Sequence, residues 1–232
     1  MNTDQPSSTV GRPSARSPNL ILRVKPLRPI ETAAPEWLDK IRRWEATGAA
    51  RRFREHLEAR EIGDPGFKSG FWATYAQTKA ESMIDHVRRG LYNNTIARPF
   101  VWFVHHNIQR WAGFAWADYG CAHFFGGMEP WKFKNRMTKF NQNQKVRVGL
   151  GHVGVLTSPN VYQADFRRCF EVQFHNFPLN VGLVRRAIDL TLRKTTFANI
   201  YVDFYCVADS IDEMATRLMR DKIRDAYANI EN

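Results

Sequence analysis

The stretch Lys145–Asn160, KVRVGLGHVGVLTSPN, decides how the rest of the chain is read. Its front half alternates Val146, Val148 and Leu150 with Lys145, Arg147 and Gly149, the two-residue period of a strand. Gly149, Gly151 and Gly154 then stand in the GxGxxG spacing of a dinucleotide-binding loop. Such a loop works because its glycines let the backbone approach a pyrophosphate, and because a helix opening inside the motif aims free N–H groups at it. That helix is missing from the pattern: Val155 is β-branched, and Pro159 would end a helix after about one turn. The glycines are therefore expected to shape a hairpin or bulged strand pair, supplying positive φ or room for a neighbouring aromatic. No cofactor is expected.

Downstream of the glycines the alternation continues. RCFEVQFHNF sets Phe170, Val172 and Phe174 against Glu171, Gln173 and His175 and reads as a strand. A helix is expected from about Leu179 to Lys194, then a strand in NIYVDFYCVAD, where Asp203 is expected to face water with Tyr201 and Tyr205. Ser210 followed by Glu213 is a capping-box pattern opening a last helix that runs to about Asn229.

Upstream lies MEPWKFKNRMTKFNQNQKVR, read as a basic aromatic loop. Residues 128–150 carry six bases against Glu129, so this segment holds much of the formal charge of +11, whereas bases and acids balance across residues 151–232. Lys132, Lys134, Arg136, Lys139, Lys145 and Arg147, interleaved with Trp131, Phe133 and Phe140, suit contact with lipid headgroups or nucleic acid.

The chain before it reads as helical. Trp37, Ile41 and Trp44 share one side of a first helix, with Phe53 and Leu57 following Gly48, and Asp64-Pro65-Gly66 closes the segment. Trp72, Ala76, Ala80, Met83 and Val87 form a stripe over Phe71–Gly90. A third helix is expected from about Arg98 to Ala122, with Val101, Val104, Ile108, Trp111, Ala112, Ala115 and Tyr119 on one face. HHNIQR interrupts it, so it falls short of the roughly 20 apolar residues of a membrane span. His105, His106, Cys121 and His123 are zinc-type ligands, but adjacent histidines diverge by about 100° on a helix and are read as polar spots instead. Cys121, Cys169 and Cys206 lack CxxC spacing, so neither a disulfide framework nor a zinc ribbon is indicated. No GxSxG or HExxH motif occurs, and no catalytic residues are assigned.

These readings give an α+β chain in four parts. Residues 1–35, rich in Ser, Pro and Arg, form an extended basic arm that lies on a partner. Residues 36–127 form a helical, aromatic-rich part containing six of the seven tryptophans, residues 128–150 a basic aromatic loop, and residues 151–232 a small β-β-β-α-β-α-like unit. The aromatic density, with Trp102, Trp111, Trp116 and Trp131 as interface residues, points to a non-catalytic accessory subunit of a large membrane-bound assembly. A mitochondrial inner-membrane respiratory or ATP synthase-type complex is the expected setting, with other subunits and anionic lipid headgroups as partners. The alternative is an RNA-binding structural protein of a ribosomal or organellar-ribosomal particle.

Overall fold

A computed structural model describes residues 18–27, 35–62, 74–75, 79, 100–104, 121–124, 127–175, 179–193 and 195–228. Six strands, β1 (Asn19–Leu27), β2 (Phe100–Val104), β3 (Cys121–Phe124), β4 (Val148–His152), β5 (Glu171–Phe174) and β6 (Asn199–Val207), form one sheet of order β1-β6-β5-β2-β4-β3. Every pairing is parallel. The helices are α1 (Pro35–Glu45), α2 (Gly48–Glu58), α3 (Pro130–Gln142), α4 (Val181–Leu192) and α5 (Ile211–Ala228).

The glycine stretch explains why the sheet is parallel and what its core is made of. β4 ends at His152 and is followed by two 3-10 turns, Val153–Thr157 and Pro159–Gln163, not by a returning strand, so the expected hairpin does not form. β4 instead lies between β2 and β3. In the register Val24, Phe204, Phe174, Phe103, Gly151 and Phe124 stand side by side across the whole sheet. Phe103 stacks on Phe174 at 5.5 Å between centroids, and Phe174 on Phe204 at 5.2 Å. Gly151 leaves the gap this row needs, since a Cβ there would sit 2.9 Å from the Phe103 ring. A Cβ at Gly149 would meet Phe140 at 3.2 Å. The expectation of room for a neighbouring aromatic therefore holds at both glycines, in a parallel strand.

Phe166 and Phe140 close this pocket edge-on against Phe124, at 5.6 and 6.1 Å. The core continues into Phe133 and Met137 of α3, Val184, Ala187 and Ile188 of α4, and Ile211, Ala215 and Met219 of α5. Phe133, Met137 and Phe140 are spaced i, i+4 and i+7, which puts them on one stripe of a helix. MEPWKFKNRMTKF is thus a helix where a loop was expected. Pro130 sits in its first turn, where the missing N–H has no partner to lose. At its other end the Arg168 guanidinium bonds the carbonyls of Phe140, Asn143 and Val146.

The helix expected from Arg98 to Ala122 is strand at both ends, β2 and β3, while residues 105–120 lie outside those described. FVWFV is a short continuous run of aromatic and β-branched residues, the signature of a strand buried on both faces. The stripe expected over Phe71–Gly90 lies wholly outside the described residues. α1 and α2 form as expected, with Ile41, Phe53 and Leu57 buried. Thr47 caps α2 by accepting the Ala50 N–H at 3.2 Å.

Residues 19–27, expected on a partner, pair with β6 as an edge strand of the chain's own sheet. Arg23 fixes that pairing by a bidentate bond to Asp203, at 2.5 and 2.8 Å. Asp203 is accordingly buried and does not face water. The sheet thus draws strands from both sides of residues 128–150.

Gly151→Ala is expected to cost about 1–3 kcal/mol, because Phe103 is held by its stack on Phe174 and cannot yield without moving the row. Gly127→Ala, where an added Cβ meets nothing within 4 Å, should stay within about 0.5 kcal/mol of the parent. Urea unfolding of both variants checks this pair.

Candidate functional site

From β2 the chain runs outward to β3 and returns to β4, then crosses to β5 and continues outward to β6. Neighbouring strands β2 and β5 therefore feed connections in opposite directions. In open parallel sheets the crevice at the carboxyl ends of such strands is where ligands bind. His152, His175 and the Val207–Asp212 turn lie along this edge.

GLGHVG reaches the edge at β4, yet it is not a pyrophosphate cradle. The segment after it is a 3-10 turn with Val155 and Leu156 buried, so no α-helix N-terminus points outward. Its polar side chains bond within the segment and to α3's start: the exposed Thr157 Oγ1 donates to the Gly154 carbonyl at 3.1 Å, and the buried Asn160 Nδ2 to the Met128 carbonyl at 2.7 Å. Nor does the chain contain GxxxxGK[ST].

Beside it, the carboxyl end of β6 is locked by a buried ion pair that the sequence reading missed. Lys79 Nζ donates to Asp212 Oδ1 at 2.9 Å and to the Tyr205 carbonyl at 3.3 Å, and the Asp212 Oδ2 accepts the Val207 N–H at 2.8 Å. Both side chains are essentially inaccessible, at 0% and 1% exposure. The N-terminus of α5 is satisfied at the same place: the Ile211 N–H donates to Glu45 Oε1 at 3.0 Å and the Asp212 N–H to Ser210 Oγ at 3.2 Å. Glu213 reaches back to the Asp209 N–H at 2.9 Å, one residue before the expected capping-box partner. His175 is buried in this region, and burial, reinforced by the charge of Lys79, holds its imidazole well below the ordinary histidine range.

A different kind of surface lies on the helical layer. With its apolar stripe turned to the core, α3 leaves Lys132, Lys134, Arg136 and Lys139 exposed. Lys145 and Arg147 belong to the connection into β4, so the six expected contact residues form two groups. Trp131 is 60% exposed and lines a groove of about 570 Å³ with Pro130, Lys134, Tyr162, Ala164, Asp165 and Arg193. Tyr162 and Arg193 were not singled out from sequence; Tyr162 had only its position between Pro159 and Asp165 to mark it. Trp102 lies in β2 opposite Leu150 and Gln173, while Trp111 and Trp116 lie outside the described residues. Of the zinc-type ligands, Cys121 and His123 are in β3, and His105 and His106 lie outside the described residues. Among the described residues no three potential metal ligands cluster.

No family model matches the sequence, and no curated protein matches it. Solved structures do match the fold. The C-terminal part of the Fun30 ATPase domain superposes with a TM-score of 0.60 at 9% identity, covering 91% of this chain and 99% of the other. The C-terminal domain of the Sulfolobus solfataricus SWI2/SNF2 ATPase gives 0.53 at 10% identity, covering 88% and 86%. These likenesses overturn the expected non-catalytic accessory subunit of a membrane-bound assembly, together with its mitochondrial, inner-membrane and lipid-interface character and the ribosomal alternative. The fold is one found in parts of ATPases, and among the described residues no helix is long and apolar enough to cross a membrane.

Two outcomes follow from the carboxyl edge. Lys79→Met should cost about 3–5 kcal/mol by leaving Asp212 buried without its counter-charge, as read by urea unfolding. For His175 the unfolded state takes up a proton near pH 6.5 while the folded state does not. Stability is thus full above that pH and declines as pH falls through it, by up to about 1.4 kcal/mol per pH unit. His175→Gln should flatten this part of the stability profile between pH 7.5 and 5.5; an unchanged slope would place the proton uptake elsewhere.

Proposed function

We propose that this chain is the C-terminal lobe of a two-lobed ATPase of the SWI2/SNF2 kind. The observation that carries the reading is the extent of the fold match: nearly the whole of the Fun30 fragment and nine-tenths of this chain superpose, so the likeness is to a complete lobe and not to a shared βαβ unit. The chain's own chemistry supports the same division of labour. It lacks the glycine-rich loop and lysine that cradle a nucleoside triphosphate, so those groups come from an opposing lobe.

On this reading the carboxyl edge faces the bound nucleotide. The 3-10 turn after β4, anchored by the buried Val155 and Leu156, supplies a rim there, and the Lys79–Asp212 pair holds the end of β6 beside it. Rigidity matters because phosphoryl transfer is catalysed by positioning and by charge placed before the reaction begins. The chain by itself should therefore hydrolyse ATP no faster than background.

Native material isolated through an affinity tag on this chain tests the reading. It is expected to hydrolyse ATP, and a photoreactive ATP analogue tethered at the γ-phosphate should label segment 152–158. Absence of hydrolysis in the native material, or labelling confined to segments away from the carboxyl edge, would remove the basis for the proposal.

A further inference from the structure

β1 ends the sheet on one side, and the direction of its backbone bonds shows which groups it leaves open. The Asn19 N–H donates to the Ala198 carbonyl at 2.8 Å, and the Leu27 carbonyl accepts the Ala208 N–H at 3.0 Å. Residues 19, 21, 23, 25 and 27 therefore turn their peptide groups toward β6, and by strand alternation Leu20, Leu22 and Val24 turn theirs outward. Pro26 stands in the same outward set, where its missing N–H removes no ladder bond, and it closes the open stretch. Among the described residues nothing pairs with this outer side. Such edges are commonly blunted by charge, but the Arg23 guanidinium is turned to Asp203 of the neighbouring strand.

The same residues border a groove. Leu20, Leu22 and Leu192 are half-buried and line a concavity of about 920 Å³ between β1, α4 and α5. Its lining is cationic: Arg185, Arg193, Arg220 and Arg224 stand against one acid, Asp189. Asp189 accepts from the Tyr227 hydroxyl at 2.7 Å and lies 3.8 Å from Arg185. Asp221 and Asp225, outside the lining, pair with Arg220 and Arg224, and even with them the cations outnumber the acids. Arg193 and Arg224 are exposed.

We propose that the outer side of β1 takes an added strand from a partner protein, an extended segment whose groove-facing side chains are apolar and acidic in turn. Main-chain bonds to Leu20, Leu22 and Val24 supply affinity common to any extended segment, and the groove selects among sequences. Apolar side chains cover Leu20 and Leu22, while carboxylates accept from the guanidinium groups of Arg193 and Arg224. A second copy of this chain is a poor occupant: β1 carries Arg23 and Lys25 and no acid, and each copy has a net charge of +11. A helix does not suit the edge either, since its own main-chain groups are bonded internally. The inference rests on the edge and the groove and not on the ATPase reading.

Fluorescence anisotropy of the full chain with a short fluorescein-labelled peptide tests it. The peptide has threonine at every second position, with valine and glutamate taking turns between. It should bind, and its analogue with lysine in place of glutamate should not. N-methylation of one alternate set of its amides should abolish binding and that of the other set leave it intact, because one set faces β1. Leu22→Pro removes an outward N–H and the leucine contact without touching a bond to β6, and should raise Kd about tenfold. The Arg193→Gln, Arg224→Gln double variant leaves the edge unchanged. It should raise Kd about fivefold and weaken the salt dependence, with a thermal melt matching the parent. The inference is overturned if the parent does not bind the peptide, if the two methylated forms bind alike, or if the lysine analogue binds as tightly. It is equally overturned if the double variant binds as the parent does, or if sedimentation shows a dimer that Leu22→Pro abolishes, which would give the edge to a second copy.

Discussion

The row of rings across the sheet, Phe204, Phe174, Phe103 and Phe124 with the gap at Gly151, is the constraint on which the rest of this structure depends. A parallel sheet with large aromatics in register on four strands has no space for a fifth side chain between Phe103 and Phe124. Glycine at 151 resolves the conflict, and at 149 it lets Phe140 descend from α3 onto the sheet. The cost of glycine in a strand, roughly 0.5–1 kcal/mol of backbone entropy each, is smaller than the 3–5 kcal/mol that a large buried aromatic typically contributes. The GxGxxG spacing is therefore a packing device. Its resemblance to a cofactor loop follows from a shared need, close approach to the backbone, met here by a ring and not by a phosphate.

Two charge pairs, one part-buried and one fully buried, then tie distant segments to this core. Arg23 and Asp203 hold the edge strand β1 on β6 across 180 residues of chain. Lys79 and Asp212 hold another segment against the carboxyl end of β6. Ion pairs of this kind are poor sources of net stability, because desolvation offsets most of the Coulombic gain. What they supply is discrimination: a slipped register would bury one charge without the other. For β1 this matters, since an edge strand in a parallel sheet has a neighbour on one side only, and its burial pattern alone specifies register weakly. The bidentate Arg23–Asp203 geometry selects one alignment.

How much of this was legible in the sequence depended on whether the pattern was local. α1, α2 and α5 were readable because Ile41, Phe53, Leu57, Ser210 and Glu213 act through helical spacing and a cap within a few residues. FVWFV was misread because five consecutive apolar residues carry no period, and the Ala and Trp residues that follow favoured a helix; only pairing with β4 and β5 makes it a strand. MEPWKFKNRMTKF was misread in the opposite direction. Its charge obscured the Phe133, Met137, Phe140 stripe, though the spacing was there to be counted. Asp203 was assigned to water because alternation places it opposite the core, yet that face is also buried. No local signal could have paired it with Arg23. Lys79 with Asp212, and Trp131 with Tyr162, are products of tertiary structure in the same sense.

The carboxyl edge of the sheet and the groove on the helical layer share one origin. Among the described residues α3 buries Phe133, Met137 and Phe140, with Phe133 and Phe140 against Phe124, and its remaining faces carry Lys132, Lys134, Arg136 and Lys139. The turns that follow β4 cannot form a helix because Pro159 interrupts them, and for that reason they fold back toward the start of α3 and present Tyr162 beside Trp131. One local feature, the early end of regular structure after the glycines, thus gives the carboxyl edge its closed rim and the helical layer its aromatic groove. No residue belongs to both the groove lining and the carboxyl edge. The turns Val153–Gln163 are the segment that contributes to each, with α4 bonded to them through Arg186 and the Leu156 carbonyl at 2.8 Å.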